Sequence, residues 1–232
     1  MANQYQINEL QFLRDVESHV MEIIKEDGLH RHVRFRRPGT MCMHFDLITW
    51  PGYLCYTGDM GTYVFQRLED MFKFFRVDRE YAKLDGERLG INVDYWAEKL
   101  QAVGGNRHKA SAVEFDETEF RRVINEYRFS WIREARNGGL LDESARRDLW
   151  EDVEHRVLGE IDNGGERAMH AAFDFSWRDH SSRKVWQFDD LFEHDFTRYT
   201  SRFIWCCYAL AWGIQKYDEH KEATNAPEPV HA

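Results

Sequence analysis

His44 and Asp46 stand two residues apart in the run MCMHFDLITW at 41–50. In an extended strand that spacing puts both on one face. A carboxylate there could orient an imidazole for acid–base work. Cys42 and Cys55 flank the pair in sequence, so a Cys/His nucleophile arrangement can also be drawn. Asp59, in the next glycine-rich turn, completes a candidate catalytic set of His44, Asp46 and Asp59 for a nucleotide- or nucleic-acid-processing enzyme. The plainer state of such a histidine is neutral and bonded to a carboxylate. No GxSxG elbow is present, so hydrolase chemistry of that class has no support.

A basic segment, HRHVRFRR, covers 30–37, with Lys25 just before it. Arg31, Arg34, Arg36 and Arg37 could receive a phosphate, a nucleotide, a nucleic acid or an acidic protein surface. The competing reading is an edge strand protected by charge. The segment WPGYLCYTGDMGTYVF at 50–65 adds Tyr53, Tyr56, Asp59 and Tyr63 as candidate binding residues. Its glycines could cradle an anion, or Gly58 and Gly61 could supply positive φ in a hairpin. It has neither the lysine of a phosphate loop nor the dinucleotide fingerprint. A secondary, metal-ligating set is His170, Asp174, His180 and His194 in an acidic, histidine-containing stretch. That stretch lacks HExxH, HxH and calcium-loop spacings. Charged loop runs are usually solvated, and no cofactor is expected.

These residues need elements to hold them. The spacing predicts a helix over 8–27, capped by Asn8, with Leu13, Val16, Val20, Ile23 and Ile24 as its stripe. From 30 to 65, alternation broken by Pro38-Gly39, Pro51-Gly52 and Gly58 to Gly61 predicts an antiparallel meander of three or four strands. Helices follow over 67–76 and 94–103. Further helices begin at the caps Asp116 and Asp142 and run over 166–175 and about 200–217, while 181–195 reads as loop or short strands. The expected class is α+β: a unit over 1–103 with a small antiparallel sheet, a helical region over 113–220 packed on it, and a flexible tail over 221–232.

Composition narrows the functional classes. The 232 residues carry 41 Asp+Glu against 31 Lys+Arg, a formal net charge of -10. Generic nucleic-acid binding needs a positive field, so only a local basic patch could serve it. Four cysteines show no metal-knuckle or CxxC spacing, which points to free thiols in a reducing cytosol. The apolar run 203–214 spans about 18 Å as a helix, short of a bilayer's roughly 30 Å. No membrane association and no secretory signal are expected. Aromatic residues make up 15%, enough for some to serve as interface anchors.

The strings FRRPGT, FDLITW, WPGYLCYTGDMGTYVF and RLEDMFKFFR, spread over about 30–80, resemble an uncharacterised accessory-protein family of bacteriophages and prophages. The resemblance carries no catalytic residue. It implies a phage-encoded, non-enzymatic protein in the cytoplasm of the bacterial host. Such a protein would bind and block a host factor, as in counter-defence of the anti-CRISPR kind. A host bacterial protein is the expected partner, with nucleic-acid or nucleotide contact through the basic patch. A homodimer is a further expectation.

Overall fold

The computed structural model describes residues 7–85, 89–104, 111–180 and 184–225, without the side chains of 79–85 and 225. It is an α+β protein whose chain divides into two units. The first takes 1–113 together with 199–232, and the second takes 114–198.

In the first unit, helix α1 (Glu9–Val16) starts at Asn8, whose side chain accepts from the Gln11 N–H at 2.9 Å. Six strands follow as an antiparallel sheet in sequence order. They are β1 (Val20–Asp27), β2 (His30–Arg36), β3 (Phe45–Trp50), β4 (Tyr53–Gly58), β5 (Gly61–Gln66) and β6 (Leu100–Gly104). Helices α2 (Met71–Asp85) and α3 (Val93–Ala97) lie between β5 and β6.

This corrects two expected helices. The stretch 20–27 is a strand, because it closes a hairpin on β2 through a turn at Gly28 and Leu29. The stretch 100–104 is a strand, because it forms the far edge of the sheet on β5.

One face of the sheet is core. Val33, Phe35, Phe45, Leu47, Leu54, Tyr56, Tyr63 and Phe65 alternate inward and are essentially inaccessible. They meet α1, α2, α3 and the last helix, α7, introduced below, in one hydrophobic cluster. Trp96 on α3 donates from its indole to Asp78 on α2 at 2.8 Å.

The second unit has its own core. Strand β7 (Val113–Phe115) leads to α4 (Glu117–Asn137), capped by Asp116, which accepts from the Glu119 N–H at 3.1 Å. Phe115 and Phe120 meet across that cap with ring centroids 5.3 Å apart. Then come α5 (Glu143–Arg156), a 3-10 turn, and α6 (Gly165–Phe173). Strands β8 (Ser176–Trp177) and β9 (Trp186–Gln187) pair with each other, and β10 (Thr197–Tyr199) pairs with β7. Phe120, Trp131, Leu149, Val153, Phe175 and Trp186 fill the interior. Arg128 is 3% exposed. Its guanidinium lies 3.7 Å from the Trp150 ring centre and donates to Glu154 at 2.7 Å.

The chain then returns to the first unit in α7 (Ser201–Asn225). Phe203, Ile204, Trp205, Cys206, Cys207, Leu210 and Ile214 are all buried, as expected of a helix apolar all round. Trp205 donates to Asp15 at 3.0 Å, and Arg76 grips Asp218 at 2.9 and 2.6 Å. A domain division at 1–103 and 113–220 therefore separates α7 from the sheet it covers; that pairing is non-local. The expected boundary at 104–112 lies mostly outside the described residues. Of the expected tail, 221–225 are helical, and 226–232 lie outside the described residues.

Candidate functional site

The basic segment is β2, and its register decides what its cations do. Arg34 lies directly across from Asp46 on β3. Its Nε and Nη2 donate to the two Asp46 oxygens at 2.9 and 2.8 Å. His32 reaches the same carboxylate, with Nε2 2.7 Å from Oδ2. Arg31 turns to the other side, where it donates to Asp70 at 2.8 and 3.3 Å and lies over the Phe72 ring at 4.8 Å. Arg36 stands 3.5 Å from Glu22, and Arg37 donates to Ser18 at 2.8 Å. Three of the four candidate arginines thus face a carboxylate of their own fold, and little positive field is left over.

These pairings set a pH dependence. Burial pushes the Asp46 carboxyl up, but the hydrogen bonds from Arg34 and His32 more than offset it, and the net shift is downward. Asp70 behaves alike: burial raises it and Arg31 brings it below the ordinary value. A carboxylate depressed in the folded state binds fewer protons there than when unfolded. Its stabilisation is present above the unfolded value, near 3.8, and is lost as pH falls through the folded one. The urea midpoint is therefore expected to start falling as pH drops towards 3.8 and to go on falling below it, through the lowered folded values. Asp46→Asn should flatten that fall and cost about 1–2 kcal/mol at neutral pH, Arg34 being partly solvated.

His44, Asp46 and Asp59 are not brought together as one catalytic set. The partners of Asp46 are His32 and Arg34. His44 lies just before β3, with Nδ1 2.7 Å from the Met41 carbonyl and 3.4 Å from Asp59. Asp59 accepts from the Met43 N–H at 2.6 Å and braces a backbone with φ of 55° at Met43. Cys55 is pushed up, by burial first and then by Asp46, which disfavours its thiolate.

The glycine segment is a hairpin with Gly58 opposite Gly61. Of these two glycines, only Gly61 has positive φ, at 113°. Gly58 serves instead for close approach, as the His44 carbonyl would lie 2.2 Å from an added Cβ.

The candidate tyrosines separate by strand alternation. Tyr56 and Tyr63 point into the core, at 0% and 3% exposure, and have no surface to offer a partner. Tyr53 is half-buried on the opposite face and stacks on Trp50, with centroids 5.2 Å apart.

The metal-ligating set does not converge either. His170 and Asp174 pair at 2.9 Å on an exposed face of α6. Arg156 and Arg167 line the same concavity of about 480 Å³ and disfavour a cation. The His194 ring lies against Phe196 instead, at 5.8 Å. Among the described residues, no three His, Cys, Asp or Glu side chains are grouped to hold a metal.

Sequence reasoning missed the outer face of the sheet as a surface. Ile48, Cys55 and Val64 sit opposite one another across β3, β4 and β5, and Trp50 pairs with Tyr53 beside them. All five are half-buried, and Ile48, Trp50, Tyr53 and Val64 pack on neither hydrophobic cluster. At the corner of β1, β2 and β3 is a concavity of about 550 Å³ lined by Ile24, Lys25, His30, Arg31, His32, Ile48, Thr49 and Trp50. The signal for it was Asp27-Gly28, a hairpin dipeptide overridden by the helical spacing before it.

No described helix is long and apolar enough to cross a membrane. Set against protein-family models, curated proteins and solved structures, the chain matches none. The bacteriophage, host–virus and counter-defence expectations drawn from 30–80 therefore lose their footing and are withdrawn, since no relative of that kind matches.

Proposed function

We propose that this chain acts by binding a protein partner, without turnover, through the outer face of its six-stranded sheet. The observation that supports this reading is the contiguous patch of Ile48, Trp50, Tyr53, Cys55 and Val64. It lies on the face opposite the core, with Arg34 and Arg36 along one side. Rings and aliphatic side chains held rigidly by cross-strand pairing give much contact area for little entropy. The arginines, part-neutralised by Asp46 and Glu22, would set orientation more than affinity. The partner is a protein surface with an apolar centre. The reading sets the protein in a reducing cytoplasm, which its free cysteines favour.

The test uses wild type and Val64→Glu. The substituted position is half-exposed, so the variant should keep its circular dichroism and Tm. Wild type is expected to retain a defined partner from lysate, with recovery falling more than tenfold for Val64→Glu, since a charge would then be buried at the contact. Identical recoveries from both proteins overturn the reading, as does recovery of nothing by either. A wild-type dimer that Val64→Glu dissociates overturns it too, in favour of self-association.

A further inference from the structure

We propose that the corner of the sheet at β1, β2 and β3 binds a small organic anion, an aromatic or short apolar body carrying one carboxylate or phosphate. The inference rests on the binding reading of the outer face and adds a second, chemically distinct occupant at the edge of the protein patch, with which the concavity shares Ile48 and Trp50.

The lining carries the argument. Among the described residues no carboxylate lines this concavity, although the chain is acidic overall. Ile24, Ile48 and the Trp50 ring supply apolar wall, and Lys25 and His30 supply polar atoms. Arg31 is committed to Asp70, and His32 to Asp46. Neither the Lys25 nor the His30 side chain has a hydrogen-bond or ion-pair partner among the described residues. A volume of about 550 Å³ falls in the ordinary range for small-molecule sites, which combine apolar walls with a few polar groups.

The backbone adds an independent observation. Ile23 pairs with Val33 on the core side, so regular alternation would send Lys25 inward as well. The register instead slips at Ile24, and Lys25 pairs with His32 on the outer face. A bulge of this kind re-aims a side chain at the expense of regular pairing. Here it delivers an ammonium to a corner lined by an indole and two isoleucines.

The test is titration of the full chain, followed by calorimetry and by the amide and indole N–H resonances. The probes are indole-3-acetate, phenyl phosphate, uncharged indole and inorganic phosphate. At least one organic anion is expected to saturate in the millimolar range or below, moving the Trp50 indole resonance. Indole and inorganic phosphate should each bind at least tenfold more weakly. Whichever of the carboxylate and the phosphate binds tighter identifies the source chemistry. Lys25→Gln, an exposed change that leaves the fold intact, should weaken the organic anion about tenfold, equivalent to about 1.4 kcal/mol.

Absence of saturation by both organic anions overturns the proposal. So does unchanged affinity in Lys25→Gln, and so does inorganic phosphate binding as tightly as phenyl phosphate. The two readings fail separately: Val64→Glu lies outside the concavity and should leave anion binding unchanged, whereas Lys25→Gln should leave partner recovery unchanged.

Discussion

Phe45→Ala is expected to cost about 3–5 kcal/mol, measured as a drop in the urea midpoint at constant m-value. Phe45 is fully buried at the start of β3. Its ring stacks on Phe35 at 4.8 Å and on Tyr56 at 5.7 Å, and meets Trp205 edge-on at 5.7 Å. Removing it leaves a cavity between three rigid rings and α7, none of which can collapse inward without breaking strand register. The lost aromatic pairs add to the transfer cost. Since a domain has only about 5–15 kcal/mol to lose, the variant should be partly unfolded at physiological temperature. Phe45→Leu should recover more than half of the loss by refilling most of the volume. A loss below about 1.5 kcal/mol for Phe45→Ala contradicts the packing described, because that is the range of a single methylene. The same strand carries Asp46, Ile48 and Trp50 outward, so partner recovery should fall with the folded fraction rather than independently of it.

Local chemistry was legible where it sits next to what it affects. Asn8, Asp116 and Asp142 each accept from the N–H three residues on, as their cap patterns required. Strands β2 to β5 followed from alternation and from Pro-Gly and glycine-rich breaks. What failed was decided by partners far along the chain. Val16, Val20, Ile23 and Ile24 match a helical stripe, yet Val20 to Asp27 extend because β2 offers a ladder only eight or so residues on (a two-residue turn at Gly28-Leu29 closes it). Leu100 to Gly104 extend because β5 has an open edge.

The candidate site divides in the same way. That Arg31, Arg34 and Arg36 stand on a strand was readable. That Asp46 answers Arg34 and His32, rather than His44, depends on cross-strand register. The concavity beside Lys25 depends on a one-residue slip, which no spacing rule within β1 reports. Tyr56 and Tyr63 looked like surface rings because a tyrosine suits either face of a sheet; which face is core is set by α7, whose partner is more than a hundred residues away in the chain.

The β4–β5 hairpin offers a stringent check on the structure, because a single methyl group should disable it. Gly58→Ala is expected to destabilise by about 3 kcal/mol or more. The added Cβ would lie 2.2 Å from the His44 carbonyl oxygen and 2.8 Å from the Phe45 Cα. Both obstacles are backbone, one at the start of the strand that Gly58 pairs with and one in the residue just before it, so no side-chain rotation relieves them. Relief requires β3 and β4 to separate at that end. Separation would loosen the Asp59 N–H bond to the His44 carbonyl, now 3.1 Å, and expose the Phe45 ring. Gly39→Ala is the informative comparison. Gly39 sits at φ of 80° with nothing within 4 Å of its added Cβ, so it should lose only about 1 kcal/mol, the ordinary cost of an alanine in a left-handed conformation. Measured side by side in urea, Gly58→Ala should unfold well before Gly39→Ala. Equal midpoints, or the reverse order, would mean that β3 and β4 do not approach as closely as described, and the outer-face register built on that pairing would fall with it.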